Sequence, residues 1–394
     1  MNILVVAAVL PYPLHSGGQI RMYNLLKKLS KSHAITLVSF IRNDSERKYS
    51  RDLSFCKSVH MVMRGRAWQP KYYLSSVFGA YPFLLATYDN RKMKDILTDL
   101  IRRGEFDLVH VEPFYVLPSL PPNGLPLVVS EHNIEYAVYD GYVQKFPIPI
   151  LRPLLSWDVF KLKKWEHIAW KRAAALTAVS QEDAAIMETY LKHPVRLVAN
   201  GVDLSVYPFR SPPKRKSFTL LFVGNFRWHP NREAADTLVS QIWPAVQAKI
   251  PDSRLRITGM NIPEDLRIRV EKAGGTVHTA VADIAVEYRD ADVLVAPHAI
   301  SGGTKFKMLE ALSTGLPIVT TAQGMAGLDA KAGRHYFQAD STAEYVDTLQ
   351  SIWKGNKAAV EVARRGREFV EEQYSWDTIA SRLQSVWEDA YGKK

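Results

Sequence analysis

The sequence predicts an α/β protein with two doubly wound, parallel-sheet domains, and three observations lead to that prediction. Short apolar runs rich in Val and Ile alternate with longer stretches of helical character, which is typical of parallel sheets covered on both faces. The alternation stops at a basic, Pro-containing stretch over 210–216 and then starts again. The length of 394 residues suits two domains, at roughly 100–200 residues each.

The predicted strands fall into two series on either side of this stretch. The first series comprises Ile3–Val9, Ile35–Phe40, Val59–Met63, Leu108–Val111, Leu127–Ser130, Leu176–Val179 and Val195–Val198. The second comprises Leu220–Val223, Leu255–Thr258, Val277–Thr279, Val293–Ala296 and Ile318–Thr321. We place the first domain at 1–207 and the second at 208–375. Ligands of open α/β sheets bind beyond the carboxyl ends of the strands, so polar residues that follow a strand are candidate functional residues.

Composition excludes several classes of protein. Hydrophobic residues make up 47% and charged residues 23% of the chain, which excludes a wholly disordered protein. The single cysteine, Cys56, excludes a disulfide scaffold and a cysteine-based zinc site, and it fits a reducing compartment. No apolar run approaches the ~20 residues that span a bilayer, and the N-terminus reads as a buried strand. We expect a cytoplasmic protein that is not integral to a membrane.

The positive charge is concentrated in the first half. The formal net charge is +11, and the 27 basic and 18 acidic residues up to Arg210 give that part +9, which leaves +2 for the remainder. Nucleic acid, an anionic membrane, an anionic substrate or plain solubility could each explain the asymmetry.

A loop with two prolines and two adjacent glycines follows the first predicted strand. Pro11 and Pro13 stiffen the loop, whereas Gly17 and Gly18 let a ligand approach the backbone at the start of a helix. The spacing is neither that of a dinucleotide fingerprint nor that of a Walker loop. A plain turn and an anion-binding helix start both stay open.

Three polar residues, Glu131, His132 and Asn133, follow the strand that ends at Ser130. Such a cluster is difficult to place in an apolar core, and a network of caps at the strand end is the alternative. His132 is a candidate for holding a sugar oxygen or acting on a hydroxyl. His110 lies within a strand and is interpreted as a core histidine.

Two segments of the second domain combine glycine with basic residues after a strand. Gly224 and Asn225 precede Arg227, which suits phosphate contacts as well as an ordinary turn. The other segment is the run Ser301, Gly302, Gly303, Thr304 and Lys305. It exposes backbone N–H groups at a helix start, with Glu310 about one and a half turns further on. A carboxylate there would repel phosphate, so we expect it to bind a hydroxyl pair such as that of ribose.

Together these segments resemble the retaining glycosyltransferases of family 4 (glycosyl transferases group 1), whose GT-B fold has two facing Rossmann-like domains with a cleft between them. The most specific match is the string over 307–319, which contains Glu310, and Gly-Gly-Thr-Lys at 302–305 is similar to one donor-loop subgroup. The resemblance also covers 177–180 and 199–203. It implies that a last helix over 376–394 returns to the first domain.

The resemblance implies a role for each matched residue. On the donor side the matched residues are Gly17, Gly18, Gly224, Asn225, His298, Ser301, Gly302, Gly303, Thr304, Lys305, Leu309 and Glu310. Among them, Glu310 is similar to the residue that bridges the ribose hydroxyls. The loop with Gly17 and Gly18 is similar to one that closes on the phosphates. His132 is similar to the histidine that contacts the transferred sugar. Asn225 stands at the position where the family usually has the Arg that contacts the diphosphate. Arg227 and Lys305 are therefore the residues expected to replace the family's usual Arg and Lys at the diphosphate. On the acceptor side the matched residues are Glu131, Asn133, Ser180 and Asn200.

The family's Glu-x7-Glu motif is incomplete, because Gly302 stands where the first glutamate is expected. His298 and the backbone after Gly302 are candidates for the missing contact. The resemblance implies retaining, metal-independent transfer from a UDP- or GDP-sugar to a glycan or lipid-linked acceptor in cell-envelope or exopolysaccharide synthesis, without a cofactor or a protein nucleophile. Two alternatives stay open: a binding or scaffold protein with reduced turnover, and a sugar-nucleotide epimerase or hydrolase.

Two basic, aromatic stretches of the first domain suggest a membrane-bound acceptor. Residues 145–172 interleave Lys161, Lys163 and Lys164 with Phe and Trp, and residues 64–73 have a similar character. Such a stretch could lie on an anionic membrane surface, and a solvated helix face is the alternative. The sequence contains no nucleic-acid-binding motif. We expect peripheral contact at the inner face of the membrane.

Overall fold

The computed structural model describes residues 1–66, 68–210, 217–299, 305–355 and 357–392. The chain forms two compact units. The first comprises Met1–Ala199 and the chain from Ile379 onward, and the second comprises Asn200–Thr378. Each unit contains one parallel sheet flanked by helices, so the predicted α/β fold class is confirmed.

The first unit contains a seven-stranded sheet in the order β3-β2-β1-β4-β5-β6-β7. Its strands are β1 (Asn2–Ala7), β2 (Ala34–Ile41), β3 (Ser58–Met63), β4 (Leu108–Glu112), β5 (Leu127–Ser130), β6 (Ala175–Ala178) and β7 (Arg196–Leu197). Its α-helices are α1 (Gly17–Leu29), α2 (Pro70–Phe78), α3 (Phe83–Ala86), α4 (Arg91–Arg102), α5 (Glu135–Gln144), α6 (Arg152–Arg172) and α7 (Gln181–Leu191). Short 3₁₀ helices span Asp44–Leu53, Phe114–Ser119 and Pro149–Leu151.

The second unit contains a six-stranded sheet in the order β10-β9-β8-β11-β12-β13. Its strands are β8 (Phe218–Asn225), β9 (Ser253–Met260), β10 (Thr276–Thr279), β11 (Val293–Ala296), β12 (Ile318–Thr320) and β13 (Phe337–Gln338). Its helices are α8 (His229–Thr237), α9 (Trp243–Lys249), α10 (Glu264–Lys272), α11 (Ile284–Arg289), α12 (Phe306–Thr314), α13 (Ala322–Met325), α14 (Thr342–Trp353) and α15 (Lys357–Gln373), with a π turn over Leu238–Ile242 between the first two. All the predicted strands are present, and β13 is the strand that the sequence analysis missed.

The last helix, α16 (Trp376–Gly392), begins in the second unit and continues into the first. Its Trp387 is fully buried, and the indole ring makes edge contacts with the rings of His33 and His110. The helix therefore contributes to the core of the first unit.

The central strands consist of apolar side chains, which allows both faces of these strands to be buried. Every residue of β1 from Ile3 to Ala7 is fully buried, as a strand covered on both faces requires. Each unit has its own apolar core, with Trp170 in the first and Trp243 in the second.

The strand order of each sheet reverses near its middle. The reversal lies between β1 and β4 in the first sheet and between β8 and β11 in the second. Ligands of doubly wound sheets bind at this reversal.

Candidate functional site

The second unit opens a crevice where its strand order reverses. The ladder between the two strands pairs Val293 with Leu220 and Leu294 with Leu221, whereas β8 continues to Asn225. The strands part beyond this ladder, so their carboxyl ends leave room for a ligand. The start of α12 and the loop after β8 border this crevice.

Lys307, in the first turn of α12, directs its ammonium group toward these strand ends. Its Nζ donates to Asn231 Oδ1 at 2.7 Å, contacts His298 Nε2 at 3.1 Å and lies 4.9 Å from the centre of the Phe222 ring. No carboxylate of the described ranges lies within ion-pair distance of this Nζ. Lys307 is therefore a half-buried cation whose contacts at Nζ are with neutral groups.

The environment of Lys307 weakens its hold on the proton. Burial, followed by the charge of Lys305, lowers the pKa of Lys307 to about 7, against the opposing charge of Glu310. Burial and the same two lysines lower the pKa of His298 to about 3, so this imidazole is neutral and accepts from the ammonium. An anion bound here would raise the pKa of Lys307 and restore its charge.

Glu310 lies three residues further along the same helix, partly exposed, and is held by two tyrosines. Tyr207 Oη donates to one carboxylate oxygen at 2.9 Å, and Tyr288 Oη donates to the other at 2.7 Å. Burial raises the pKa of Glu310, and the tyrosine hydrogen bonds and Lys307 oppose that rise. Each carboxylate oxygen keeps a lone pair after these bonds, so Glu310 can accept from two further hydroxyls.

Asn225, at the end of β8, stands at a position where a phosphate-binding site would be expected to have arginine. Asn225 Oδ1 accepts from the Arg227 amide and from Asn261 Nδ2, both at 3.1 Å. Asn231 Nδ2 donates to the Asn225 carbonyl at 2.8 Å, which aims its Oδ1 at the lysine. A Cβ on Gly224 would lie 3.2 Å from the Asn231 side chain, a tight contact that this side chain would have to relieve by a small shift. The Arg227 side chain is exposed.

The remaining predicted donor residues differ in whether their side chains can reach the crevice. Lys305 is the N-cap of α12, and its Nζ donates to the Gln323 carbonyl at 3.3 Å. Leu309 is fully buried, so its side chain belongs to the core rather than to the crevice. Ser301, Gly302, Gly303 and Thr304 lie outside the described residues.

The first unit carries its predicted glycine loop at the start of α1, beside β1. Gly17 and Gly18 form the first turn of the helix, and the Ser16 side chain caps it by accepting from the Gln19 amide at 3.4 Å. A Cβ on Gly18 would lie 3.1 Å from Nδ1 of His132. The structure thus brings the glycine loop and His132 together.

His132 belongs to a hydrogen-bonded chain of buried groups. Its Nε2 lies 3.2 Å from one oxygen of Glu112, at the end of β4, and His110 Nε2 lies 3.2 Å from the other. Trp387 Nε1 donates to His110 Nδ1 at 3.2 Å. Burial alone would raise the pKa of Glu112, but hydrogen bonds and electrostatic interactions with the two histidines hold that pKa well below its usual range.

The predicted acceptor-side residues differ in their surroundings. Glu131 is buried and accepts from Trp170 Nε1 at 3.2 Å, and burial followed by Glu166 raises its pKa well above the usual value. Asn133 is exposed, and Ser180 caps α7 by accepting from the Asp183 amide. Asn200 is the first residue of the second unit. We therefore assign no acceptor contact to Glu131 or Ser180.

Sequence reasoning missed five residues that the structure places at these sites: Glu112, Tyr207, Asn231, Tyr288 and Lys307. Lys307 was within the matched string, and its spacing from Glu310 on one helix face could have identified it. Asn231 also follows β8 within the segment that had been singled out. The two tyrosines are distant in sequence from Glu310, so no local signal identifies them.

A side-chain cluster for a metal ion and a membrane-spanning helix are both absent from the described ranges. No group of three or more His, Cys, Asp or Glu side chains is arranged to hold a metal ion. No helix in these ranges combines the length and the apolar character needed to cross a bilayer.

Two family descriptions match the chain. "Glycosyltransferase Family 4" matches residues 15–206, and "Glycosyl transferases group 1" matches residues 217–354. A phosphatidyl-myo-inositol mannosyltransferase of Mycobacterium leprae is 29% identical over 308 residues, which cover 72% of this chain and 74% of the relative.

Solved structures show the same architecture along the whole chain. Sucrose-phosphate synthase from Thermosynechococcus elongatus matches with a TM-score of 0.73 at 16% identity, covering 100% of both chains. Anabaena HepE, in complex with UDP-glucose, matches with a TM-score of 0.65 at 13% identity, covering 97% of this chain and 98% of HepE. At these identities the similarity shows a shared fold.

Proposed function

The chain belongs to glycosyltransferase family 4 and has the GT-B fold, and we propose on that premise that it is a retaining, metal-independent hexosyltransferase. Its donor is a UDP- or GDP-sugar, and its acceptor is a glycan or lipid-linked glycan of cell-envelope or exopolysaccharide synthesis. HepE was solved with UDP-glucose, and the mycobacterial relative is named for a phosphatidylinositol acceptor. Both names support this choice of substrates.

The observation that carries the proposal is the pairing of Lys307 and Glu310 on one face of α12. A half-buried ammonium that has no carboxylate of the described ranges within ion-pair distance gains most from an anion such as a diphosphate. A carboxylate three residues away, already oriented by two tyrosines, is suited to a pair of hydroxyls. A nucleoside diphosphate offers these two features, a ribose and an adjacent anion, in one molecule.

The other donor contacts follow from this placement. Lys305 and Arg227 supply further positive charge for the diphosphate, together with backbone N–H groups from Ser301 to Thr304. Gly224 and Asn225 offer backbone to the nucleotide at the end of β8. His298 is neutral and buried, so its role is to hold the Lys307 ammonium in place.

The proposed reaction is driven by stabilisation of the leaving group. The bond between the anomeric carbon and the diphosphate oxygen breaks while the acceptor oxygen bonds to that carbon on the same face. The acceptor proton passes to the departing phosphate oxygen, so no protein nucleophile is needed. Lys307, Lys305 and Arg227 stabilise the charge that develops on the diphosphate. His132 contacts the transferred sugar.

A screen of donors tests the activity. UDP- and GDP-sugars are each incubated with the enzyme, with and without phosphatidylinositol and polyprenyl-linked glycans, and nucleoside diphosphate release is followed. Acceptor-dependent release, with a product that keeps the anomeric configuration by NMR, is expected. Donor binding without release would indicate a scaffold protein, and release that no acceptor changes would indicate a hydrolase. Either outcome would contradict the proposal.

The proposed contact with an anionic membrane has a defined surface in the first unit. We call it the α2–α6 face. It consists of the exposed apolar residues Trp68, Tyr73, Leu74, Val77, Phe78, Ile150, Leu151, Leu154, Trp157 and Phe160. Phe78 and Ile150 are each 84% exposed. A group of exposed apolar residues on two helices in contact is typical of an interaction surface.

Polar contacts hold the two helices of this face together and leave the apolar side chains outside. Asp158 accepts from the Phe83 amide at 2.9 Å and from Ser76 Oγ. Lys161 is buried and donates to the Ser76 and Tyr81 carbonyls. Lys161 therefore fixes the packing of α6 and cannot meet a lipid headgroup, contrary to its grouping with Lys163 and Lys164 in the sequence analysis.

Exposed lysines beside the face make an anionic lipid surface the fitting partner. Lys163, Lys164 and Lys171 are exposed on α6, and Lys71 is exposed on α2. Basic residues that flank inserted aromatic side chains favour anionic bilayers. We therefore propose that the protein acts while bound to the inner face of the membrane.

Sedimentation with vesicles tests the membrane contact. Vesicles with anionic lipid should retain the wild type and should lose the variant in which Lys163, Lys164 and Lys171 are changed to Gln. The matched control changes the exposed lysines Lys249, Lys272 and Lys354 of the second unit to Gln. Equal loss in both variants, or wild-type retention by neutral vesicles alone, would contradict the proposal.

A further inference from the structure

We propose that Trp387, His110 and Glu112 form a buried chain that fixes the tautomer of His132 and presents its Nδ1 as an acceptor for a sugar hydroxyl. The proposal rests on the proposed function in one respect, namely that His132 contacts the transferred sugar. It assigns a positioning role to three residues, one of them on the last helix.

The direction of each hydrogen bond follows from the chemistry of its donor. An indole N–H can only donate, so His110 Nδ1 must accept from Trp387 at 3.2 Å. The proton of a neutral His110 is therefore on Nε2, which donates to Glu112 at 3.2 Å. The other carboxylate oxygen accepts from His132 Nε2 at 3.2 Å. The remaining ring nitrogen of a neutral His132, Nδ1, then carries a lone pair.

Burial shows which end of this chain meets a ligand. His110 and Glu112 side chains are 1% and 2% exposed, whereas that of His132 is 20% exposed. Its Nδ1 faces the glycine loop, because a Cβ on Gly18 would lie 3.1 Å from that atom. The accessible end of the chain is thus an acceptor nitrogen beside a stretch of bare backbone.

Charge around Glu112 keeps the carboxylate ionised, as the chain requires. Hydrogen bonds and electrostatic interactions with the two histidines overcome the effect of burial and hold the pKa of Glu112 well below its usual range. The buried Arg21 guanidinium also interacts electrostatically with Glu112, while its Nη1 donates to the Ala199 carbonyl at 2.6 Å. A carboxylate that stays ionised orients the imidazole and favours a proton on the nitrogen that faces it.

Nitrogen-15 NMR of the histidine rings tests the tautomer without any substrate. Wild-type protein should show His132 protonated on Nε2, and Glu112→Gln should change that pattern. Trp387→Phe should change the ring signals of His110. The matched control is Glu135→Gln, because Glu135 interacts electrostatically with His132 but lies outside the chain. Wild-type His132 protonated on Nδ1, or an unchanged pattern in Glu112→Gln, would overturn the proposal. Thermal unfolding establishes that each variant is folded.

The pH dependence of transfer tests what the chain does for the reaction. Glu112 and Glu135 are the carboxylates that interact with His132, and His110 and Arg21 interact with Glu112. Glu112→Gln should lower kcat by about tenfold or more and shift the acidic limb of the pH profile, while nucleoside diphosphate affinity stays unchanged. Glu112→Asp, which keeps the charge, should recover part of the loss.

The two kinds of failure are distinguishable. If wild-type protein transfers no sugar, the proposed function fails, and the NMR result still decides the tautomer. If transfer occurs and Glu112→Gln has the wild-type kcat and pH profile, the chain has no role in the reaction.

Discussion

The two units carry charges of opposite sign at corresponding places in their sheets, and the first is buried whereas the second is half-buried. In the first unit, the carboxylate of Glu112 ends the strand next to the central strand and is surrounded by two histidines and Arg21. In the second unit, the ammonium of Lys307 approaches the equivalent strand ends and meets an amide oxygen, an imidazole and an aromatic ring. Arg21 is a cation for the first charge within its own unit, whereas no carboxylate of the described ranges lies within ion-pair distance of the second.

This difference indicates what each unit receives. A compensated carboxylate needs no ligand charge, so its effect is passed to the exposed imidazole of His132. An ammonium without a carboxylate partner loses affinity for its proton, and a bound anion would reverse that loss. The second unit is therefore suited to an anionic donor and the first unit to neutral hydroxyls.

Glu310→Gln tests the donor side of this comparison with the largest expected effect. The amide keeps the shape but replaces one acceptor oxygen by a donor, so contacts to the ribose hydroxyls are lost. We expect kcat/KM for the nucleotide-sugar to fall about hundredfold, at about 1.5–3 kcal/mol for each charged hydrogen bond. A 2′-deoxyribose donor should lose much less. Equal losses with both donors would show that Glu310 does not bind ribose.

Gly18→Ala tests the hydroxyl side with a smaller effect. The new Cβ would crowd His132 Nδ1, so transfer should fall by about tenfold. Alanine favours the helix over glycine by up to about 1 kcal/mol, so thermal stability should not fall. Full activity together with unchanged stability would show that the loop does not share space with a ligand of His132.

The pH dependence of donor binding is the smallest of these effects. With a pKa of about 7 in the empty site, Lys307 is charged below pH 7 and neutral above it, and a bound diphosphate favours the charged form. Affinity should therefore be highest below pH 7 and fall about fivefold from pH 7 to pH 8. Nucleotide-sugar titrations by calorimetry at several pH values measure this slope. Lys307→Met should abolish it, and the same slope in that variant would assign it to another group.

Much of the fold could be predicted because strand and helix periodicity are local properties. The short β13 was missed, since the two residues Phe337 and Gln338 carry no periodic signal. Residues that follow strands could be singled out as a class, because the carboxyl ends of parallel strands meet at one edge of a sheet. His132 and Gly18 are adjacent in the structure, although no local pattern pairs them.

The partners of the site residues could not be predicted because they come from distant parts of the chain. Tyr207 and Tyr288 meet Glu310 through tertiary packing, and Trp387 reaches His110 from the last helix. Burial also decides roles that composition leaves open. Lys161 and Glu131 are charged residues in functional-looking stretches, yet both point into the first unit and bond there.

The most direct test of the central claim is the affinity of the second unit's crevice for a nucleotide-sugar. UDP-glucose and GDP-mannose are titrated calorimetrically at pH 6.5 into full-length wild type, Lys307→Met and the exposed-lysine control Lys272→Met. Removing a buried charge from its ionic partner costs about 2 kcal/mol or more, so Lys307→Met should weaken binding of the preferred donor at least about 30-fold. The control should bind as the wild type does. Wild-type affinity in Lys307→Met would contradict the assignment of this crevice to the donor diphosphate.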